Sequence, residues 1–173
     1  MSDWRVARVS RDTLTDEHAQ LLDLATPPGH DPLATVAVLA HNPALLGPFL
    51  GWAAALALSG VLPKREHELI ALRAARLCRS TFEWDEHVEY ARRAGLNEEE
   101  IDRVAEGPEA AGWSEADAAL LRAADELHDA HAISEQTWKV LRARHDDAAL
   151  VEIAYVYGQY SMLSMVANAL NID

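Results

Sequence analysis

Two residues four positions apart, Glu83 and His87, have side chains that could carry out acid–base chemistry. On an α-helix this spacing puts both side chains on one face, with their Cβ atoms about 5–6 Å apart. A carboxylate beside an imidazole orients the ring and raises its pKa, as a general acid or base working near neutral pH requires. Ser80, three residues before Glu83, joins this face if the helix begins early enough. The spacing alone leaves a second interpretation open, an ordinary ion pair on a solvated helix surface.

A second carboxylate, that of Glu68, lies twelve residues before Ser80. In one continuous helix these two residues would lie about 120° apart around the axis, so Glu68 reaches the His87 face only if the chain bends near Ser80. Together, Glu68, Glu83 and His87 would offer one imidazole and two carboxylates, a set that suits divalent iron, manganese or zinc. No spacing in the sequence indicates such a site strongly, and we predict no bound metal and no cofactor.

Helices should position these residues, because helix punctuation is abundant and no long stretch alternates with the period of two that a strand requires. Pro63 suits a first helical position, and Ser80 and Thr81 are poor helix-interior residues that predict a break. Residues 26–29, which include Pro27 and Pro28, predict another break. The sequence therefore predicts an all-α fold. Helices are expected at about residues 16–25, 33–40, 43–59, 63–78, 82–94, 97–106, 114–131, 134–145 and 147–170.

The chain is strongly acidic, with 15 Lys and Arg residues against 28 Asp and Glu residues and a formal net charge of −13. A protein that binds nucleic acid needs a basic face to neutralise phosphates, so we expect no nucleic-acid partner. The same surplus of acid disfavours an anionic membrane surface as a partner. Half of the 173 residues are hydrophobic and a quarter are charged, which is typical of one soluble globular domain.

No segment is predicted to target the chain to a membrane or to span one. Residues 1–12 mix arginine and aspartate and lack the apolar core of a signal peptide. The most apolar stretch, Leu45–Val61, is interrupted by glycine and proline and is a little too short to span a bilayer. The single cysteine, Cys78, excludes an internal disulfide and fits a reducing compartment. We therefore predict a cytoplasmic protein.

A set of short motifs is more specific together than any one of them alone. The motifs are Leu62–Leu69, Leu72–Arg73, Phe82–His87, Ala94–Leu96 and Glu100–Ile101, with residues 123–128, 137–138 and 158–160 in the second half. Together they resemble the carboxymuconolactone decarboxylase family of the alkylhydroperoxidase D-like superfamily, in the longer form common in bacteria. The resemblance implies one domain over residues 1–173, an alkylhydroperoxidase D-like bundle of about seven to nine helices. Its motif-bearing core would lie at about 43–107 and its C-terminal helices at 114–171. Self-association into trimers, hexamers or dimers is also implied.

The resemblance separates two branches of chemistry. The redox branch carries Glu-x11-Cys-x2-Cys-x3-His, and the corresponding residues here are Glu68, Ser80, Glu83 and His87. Both cysteines are absent, so a sulfenic acid would have no resolving thiol, and disulfide-relay peroxidase chemistry is not expected. Cys78 lies two residues before the first of these positions, which leaves open a thiol-dependent peroxidase that uses an external thiol.

The decarboxylase branch has the Glu-Trp-x-x-His form that this chain also has, and it acts on an acidic lactone. The resemblance therefore implies lyase or isomerase chemistry on a small conjugated acid or lactone. Loss of CO2 beside a conjugated carbonyl leaves a dienolate, which needs charge stabilisation and then a proton. His87 is the predicted proton carrier, and Glu83 or Glu68 would set its tautomer. A catalytically silent, ligand-binding homo-oligomer is the remaining interpretation.

A carboxylated substrate also needs a cation in its pocket. Arg73 is the first choice because it belongs to the Leu-Arg element that resembles the family, and Arg76 and Arg65 are the alternatives. A local arginine can dominate over an acidic surface within a Debye length of about 8 Å. Trp84, which could wall a pocket, and Ser80 are the other predicted substrate-binding residues.

Overall fold

The computed structural model describes residues 4–26 and 29–172. Within these ranges the regular elements are nine α-helices and the single-turn 3₁₀ helix Arg11–Thr13, with no strand, so the predicted all-α fold is confirmed. Pro27 and Pro28, for which a helix break is predicted, lie outside the described residues. The α-helices are α1 Asp16–Leu24, α2 Ala34–Leu39, α3 Pro43–Ser59, α4 Lys64–Leu77, α5 Thr81–Arg93, α6 Glu98–Glu106, α7 Glu115–Ala130, α8 Glu135–Arg142 and α9 Asp147–Leu170.

Local capping groups fix where most of these helices begin. In α1, α5, α6, α7 and α8, the side chain of the residue just before the helix accepts a hydrogen bond from the backbone N–H three residues later. Asn97 and Glu100 at α6 form a complete capping box, in which each side chain accepts from the other residue's backbone N–H. Such a cap satisfies donors that the helix leaves free and stabilises it by about 1 kcal/mol. These starts agree with the predicted ones because a cap involves only neighbouring residues.

The described residues form two compact units. One contains the residues up to Gly60 together with those from Ala169 onward, and the other is Val61–Asn168. The first unit is built from α1, α2 and α3, and its core includes Leu22 and Leu46. In the second unit, α4 packs against α5, α6 and α7. All of the predicted catalytic and substrate-binding residues lie in this second unit.

Helix α4 is the central element of the second unit. Its residues from His67 to Ala75 are all buried. The sequence predicts only a narrow apolar stripe on this helix, whereas the structure buries it on several sides because three helices pack on it. Glu68 and Arg73 are therefore carried into the interior together with the apolar residues. Polar groups buried in this way need partners, and those partners define the site.

No helix among the described residues is long and apolar enough to cross a bilayer. Helix α3 runs from Pro43 to Ser59 and includes Pro48.

Candidate active site

The chain bends between α4 and α5, and the bend brings Glu68 to His87. Ser80 caps the N-terminus of α5, where its hydroxyl accepts the backbone N–H of Glu83. The two helices then pack against each other. As a result, Nδ1 of His87 and Oε2 of Glu68 lie 2.7 Å apart. The bend near Ser80 that the sequence requires for Glu68 is therefore present.

His87 lies between two carboxyl groups. Its Nδ1 is hydrogen-bonded to Glu68, while its Nε2 lies 3.9 Å from Oε2 of Glu83, which is too far for a hydrogen bond. An ionised carboxylate only accepts hydrogen bonds, so beside ionised Glu68 the hydrogen is assigned to Nδ1, and Nε2 directs its lone pair toward Glu83. All three side chains are nine-tenths buried or more. Glu68, and not the helical neighbour Glu83, therefore orients the imidazole.

Burial changes the acidity of Glu83. The loss of hydration raises the pKa of its carboxyl to about 7; the nearby His87 acts in the opposite direction and Glu86 adds a smaller upward effect. A carboxyl with a pKa near neutrality can both give and take up a proton at neutral pH. The site therefore contains two neighbouring groups, Glu83 and His87, that can move protons.

The raised pKa of Glu83 predicts a protein stability that falls as the pH rises. The folded protein holds this proton up to about pH 7, whereas an ordinary glutamate releases it near 4.5. Folding therefore binds a proton between these values, and the free energy of unfolding decreases with pH across that window. In Glu83→Gln this decrease should become smaller, by up to about 3 kcal/mol. Urea unfolding at the two ends of the window measures the effect.

Glu89→Gln is the control for this measurement, because Glu89 lies on the same helix but is exposed. It should leave the pH dependence of stability nearly unchanged. If Glu83→Gln and the wild-type protein lost stability equally across the window, the proton would not be held by Glu83.

Two further residues, Tyr160 and His67, complete the cluster. The Tyr160 hydroxyl and Nε2 of His67 lie 2.8 Å apart, and the Tyr160 and His87 rings form a T-shaped contact with their centroids 4.2 Å apart. Burial raises the pKa of Tyr160, with a further contribution from Glu68 and Glu83. Burial also lowers the pKa of His67, so both side chains are neutral at neutral pH. This contact joins residues 93 positions apart, and no local sequence pattern indicates it.

Arg73, the first choice for a substrate-binding cation, is hydrogen-bonded to other residues of the fold. Its Nε and one terminal nitrogen donate to the two carboxylate oxygens of Asp125, at 2.5 and 2.9 Å. The other terminal nitrogen donates to the carbonyls of Val104 and Ala105. Gly107, with φ of +114°, approaches so closely that a Cβ there would lie 2.9 Å from the guanidinium. In the structure this side chain joins α4 to α6 and α7, and its role in substrate binding stays a prediction.

The two alternative arginines, Arg65 and Arg76, differ in whether other residues pair with their side chains. Arg65 is also used within the fold, since it donates to Glu100 at 2.5 Å and to Asp117 at 2.7 Å. Arg76 is exposed, and its side chain has no hydrogen-bond or ion-pair partner among the residues that the structure describes. Of the three candidates, Arg76 is the one whose charge remains available to a ligand.

Arg76 lines an open cleft of about 370 Å³ where α4 ends and α5 begins. Trp84 and Ser80, the other two predicted substrate-binding residues, also line it. The lining residues are Ala75, Arg76, Arg79, Ser80, Thr81, Trp84 and Ala105. His87 is not among them, but Trp84 precedes it by three residues and is its neighbour on the helix surface. The cleft and the buried cluster therefore share helix α5.

The geometry offers little to a metal ion or to thiol chemistry. Among the described residues, no group of three or more His, Cys, Asp or Glu side chains is arranged to hold a metal. The metal-ligand set considered for Glu68, Glu83 and His87 is therefore not supported by their arrangement. Cys78 is half-buried, and burial raises the pKa of its thiol, which lowers the fraction of reactive thiolate.

Solved structures of known proteins share this helical architecture. An uncharacterized peroxidase-related protein from a Silicibacter species has a TM-score of 0.84 at 20% sequence identity, over 99% of this chain and 92% of that one. A peroxidase-related protein from Ralstonia eutropha with an alkylhydroperoxidase AhpD core has a TM-score of 0.84 at 23% identity, over 100% and 93% of the two chains. The debrominase Bmp8 has a TM-score of 0.78 at 17% identity, over 96% and 89%. These likenesses confirm the AhpD-like helical fold.

A family model matches the segment that carries the bend and the Glu68–His87–Glu83 side chains. Residues 43–126 match the model of the carboxymuconolactone decarboxylase family. This match is to the same family that the motifs resemble. No curated protein sequence matches the chain.

Proposed function

We propose that this protein is an acid–base enzyme of the carboxymuconolactone decarboxylase type that acts on a small conjugated acid or lactone. The main support for this proposal is the buried cluster of the Glu68, His87 and Glu83 side chains. A carboxylate holds one side of the imidazole, and the other side faces a carboxyl with a pKa of about 7. Such an arrangement supplies an oriented pair of proton carriers.

In the proposed reaction the substrate loses CO2 from a carbon that is conjugated with a carbonyl group. The bond to the carboxylate carbon breaks, its electron pair enters the conjugated system as a dienolate, and a proton then adds to carbon. His87, protonated at Nε2, donates that proton, and Glu68 stabilises the imidazolium beforehand. Glu83 returns a proton from solvent to the ring. An isomerase would lose no CO2: the ring would remove a proton from one carbon of the substrate and return one to another carbon of the same conjugated system.

A thiol-dependent peroxidase is the competing candidate, and the site supports it less well. Ser80 and Glu83 occupy the positions of the two redox cysteines. The Ser80 hydroxyl caps α5, and burial makes the Cys78 thiol less acidic, whereas a reactive cysteine has a lowered pKa. The peroxidase-related neighbours are 20% and 23% identical to this chain, so their likeness concerns the fold and not the activity.

We also propose that the protein self-associates. Four large apolar residues of α9, Val151, Tyr155, Met162 and Met165, are exposed. Their spacing places them within about 80° of arc on one face of the helix. An exposed apolar stripe of this kind is typical of a helix that packs against another copy of the chain, which supports the proposal.

A substrate panel tests the proposed reaction. Acidic lactones and conjugated acids are incubated with the protein in deuterated water, and CO2 release and deuterium in the product are measured by mass spectrometry. We expect turnover of at least one compound, with deuterium at the carbon that was protonated. Cys78→Ser should retain this turnover. Peroxide reduction that depends on an external thiol and disappears in Cys78→Ser would support the peroxidase instead, and binding without turnover would support the silent binding protein.

A further inference from the structure

The cleft between α4 and α5 is positively charged although the chain as a whole is acidic. Two of its lining residues are arginines, Arg76 and Arg79, and none of the described residues that line it is a carboxylate. The formal net charge of the chain is −13. A concave surface with two cations and no acid is therefore unlike the average surface of this protein, and it favours an anionic ligand.

The guanidinium groups of both arginines remain available. Within residues 4–26 and 29–172, the side chains of Arg76 and Arg79 have no hydrogen-bond or ion-pair partner. By contrast, Arg73 is paired with Asp125, and even the exposed Arg92 is paired with carboxylates. Two neighbouring guanidinium groups repel each other, and a carboxylate between them would relieve the repulsion and accept charge-assisted hydrogen bonds.

Arg79 is also held in a backbone conformation that its residue type disfavours. Its φ is +55°, in the left-handed region, and it follows the C-cap residue of α4. This is the position where helices most often carry glycine, because any Cβ is unfavourable there. A disfavoured conformation at the rim of a cleft, in a residue with a charged side chain that the fold does not use, points to a role for that side chain.

The remaining lining residues suit a small flat ligand. Trp84 offers an aromatic surface, and Ala75 and Ala105 offer small apolar ones. The volume of about 370 Å³ lies at the small end of the range for ligand pockets, about 300–1,000 Å³. A planar body of one ring or one conjugated chain fits these dimensions and this chemistry.

We propose that the cleft binds the carboxylate of a small aromatic or conjugated acid, with Arg76 and Arg79 as the specificity-determining residues and Trp84 against the planar body. Arg76 and Arg79 would supply the cations that a carboxylated ligand needs. It deepens the proposed function and rests on it for the link between the cleft and proton transfer at His87. Binding in the cleft does not itself require that chemistry.

Equilibrium binding of unreactive probes tests the site. Benzoate and cinnamate, with benzamide and cinnamamide as their uncharged analogues, are titrated into the full chain by isothermal calorimetry. The carboxylates should bind at least about tenfold more tightly than the amides, and their affinity should fall as salt is added. Arg76→Ala and Arg79→Gly should each weaken carboxylate binding by about tenfold and leave the amides unchanged.

Arg79→Gly separates binding from folding. Glycine is favoured at a φ of +55°, so the variant should have a Tm equal to or above that of the wild-type protein while binding benzoate less tightly. Arg144→Ala is the matched control, because Arg144 is exposed, lies outside the cleft and also lacks a partner among the described residues. It should leave carboxylate binding unchanged.

Three results would overturn the proposal: no binding of either carboxylate, equal affinity for acids and amides, or equal weakening by Arg144→Ala. The probes undergo no reaction, so the outcome is independent of the search for a substrate. Carboxylate binding without turnover of any lactone or acid would reject the proposed function and keep the site. Turnover without carboxylate binding would reject the site and keep the proposed function.

Discussion

Replacing His87 by glutamine should lower kcat by about 10²- to 10⁴-fold on whichever acid the wild-type protein turns over, because the substitution removes the group that moves the proton. Glutamine is similar in size, and its amide can still donate a hydrogen bond to Glu68, so the buried carboxylate keeps a partner. We therefore expect the circular dichroism spectrum and the Tm to change little. Steady-state kinetics should show the loss in kcat and not in KM.

Two other variants make this result specific. His128→Gln is the control, because His128 is another hydrogen-bonded histidine, 3.0 Å from the Tyr157 hydroxyl and outside the Glu68–His87–Glu83 cluster. It should keep the wild-type kcat. Glu68→Gln keeps a hydrogen-bond acceptor for the ring but removes the charge that stabilises the imidazolium, so a smaller loss is expected. Full activity in a folded His87→Gln protein would contradict the proposed function.

Replacing Arg73 by methionine should lower the free energy of unfolding by about 3 kcal/mol, because removing one partner of a buried ion pair leaves the other charge uncompensated. The substitution would leave Asp125 without its guanidinium and would free the carbonyls of Val104 and Ala105. Methionine retains most of the apolar stem, so the loss reports on the polar contacts. Urea unfolding followed by circular dichroism measures it.

Arg92→Met is the control for Arg73→Met. Arg92 also bridges two carboxylates, but on the exposed surface, where such pairs contribute little, so Arg92→Met should lower the free energy of unfolding much less. The double variant Arg73→Met/Asp125→Leu removes both charges and should regain the part of the lost stability that comes from the uncompensated carboxylate. A stable Arg73→Met protein with a raised KM would instead place Arg73 in the substrate site.

Helix positions were predictable because their signals are local. The start of α6 follows from Asn97 and Glu100, which are three residues apart, and α9 occupies the predicted residues 147–170. The less accurate boundaries are the C-terminal ones, for which the sequence has weaker signals. Helix α8 ends at Arg142, although the pattern predicts a helix to about residue 145.

The site was predictable only in part. The spacing of Glu83 and His87 places them on one face of α5, and the structure has them there. The same spacing suggests Glu83 as the group that orients the ring, whereas Glu68 makes the hydrogen bond. Spacing reports which residues share a face, but the hydrogen-bond partner depends on the distance between two helices, which only packing sets.

Residue types and intervals of a few residues are enough to predict the helical fold, the family resemblance and the absence of the redox cysteine pair. Which charged side chains are paired within the fold, and which remain available to a ligand, depends on tertiary contacts. Arg73 is paired with Asp125, 52 positions away, and Tyr160 reaches His67 from 93 positions away. Arg76 has no partner among the described residues. Burial and pairing arise from contacts between residues distant in sequence, so no local pattern distinguishes these arginines.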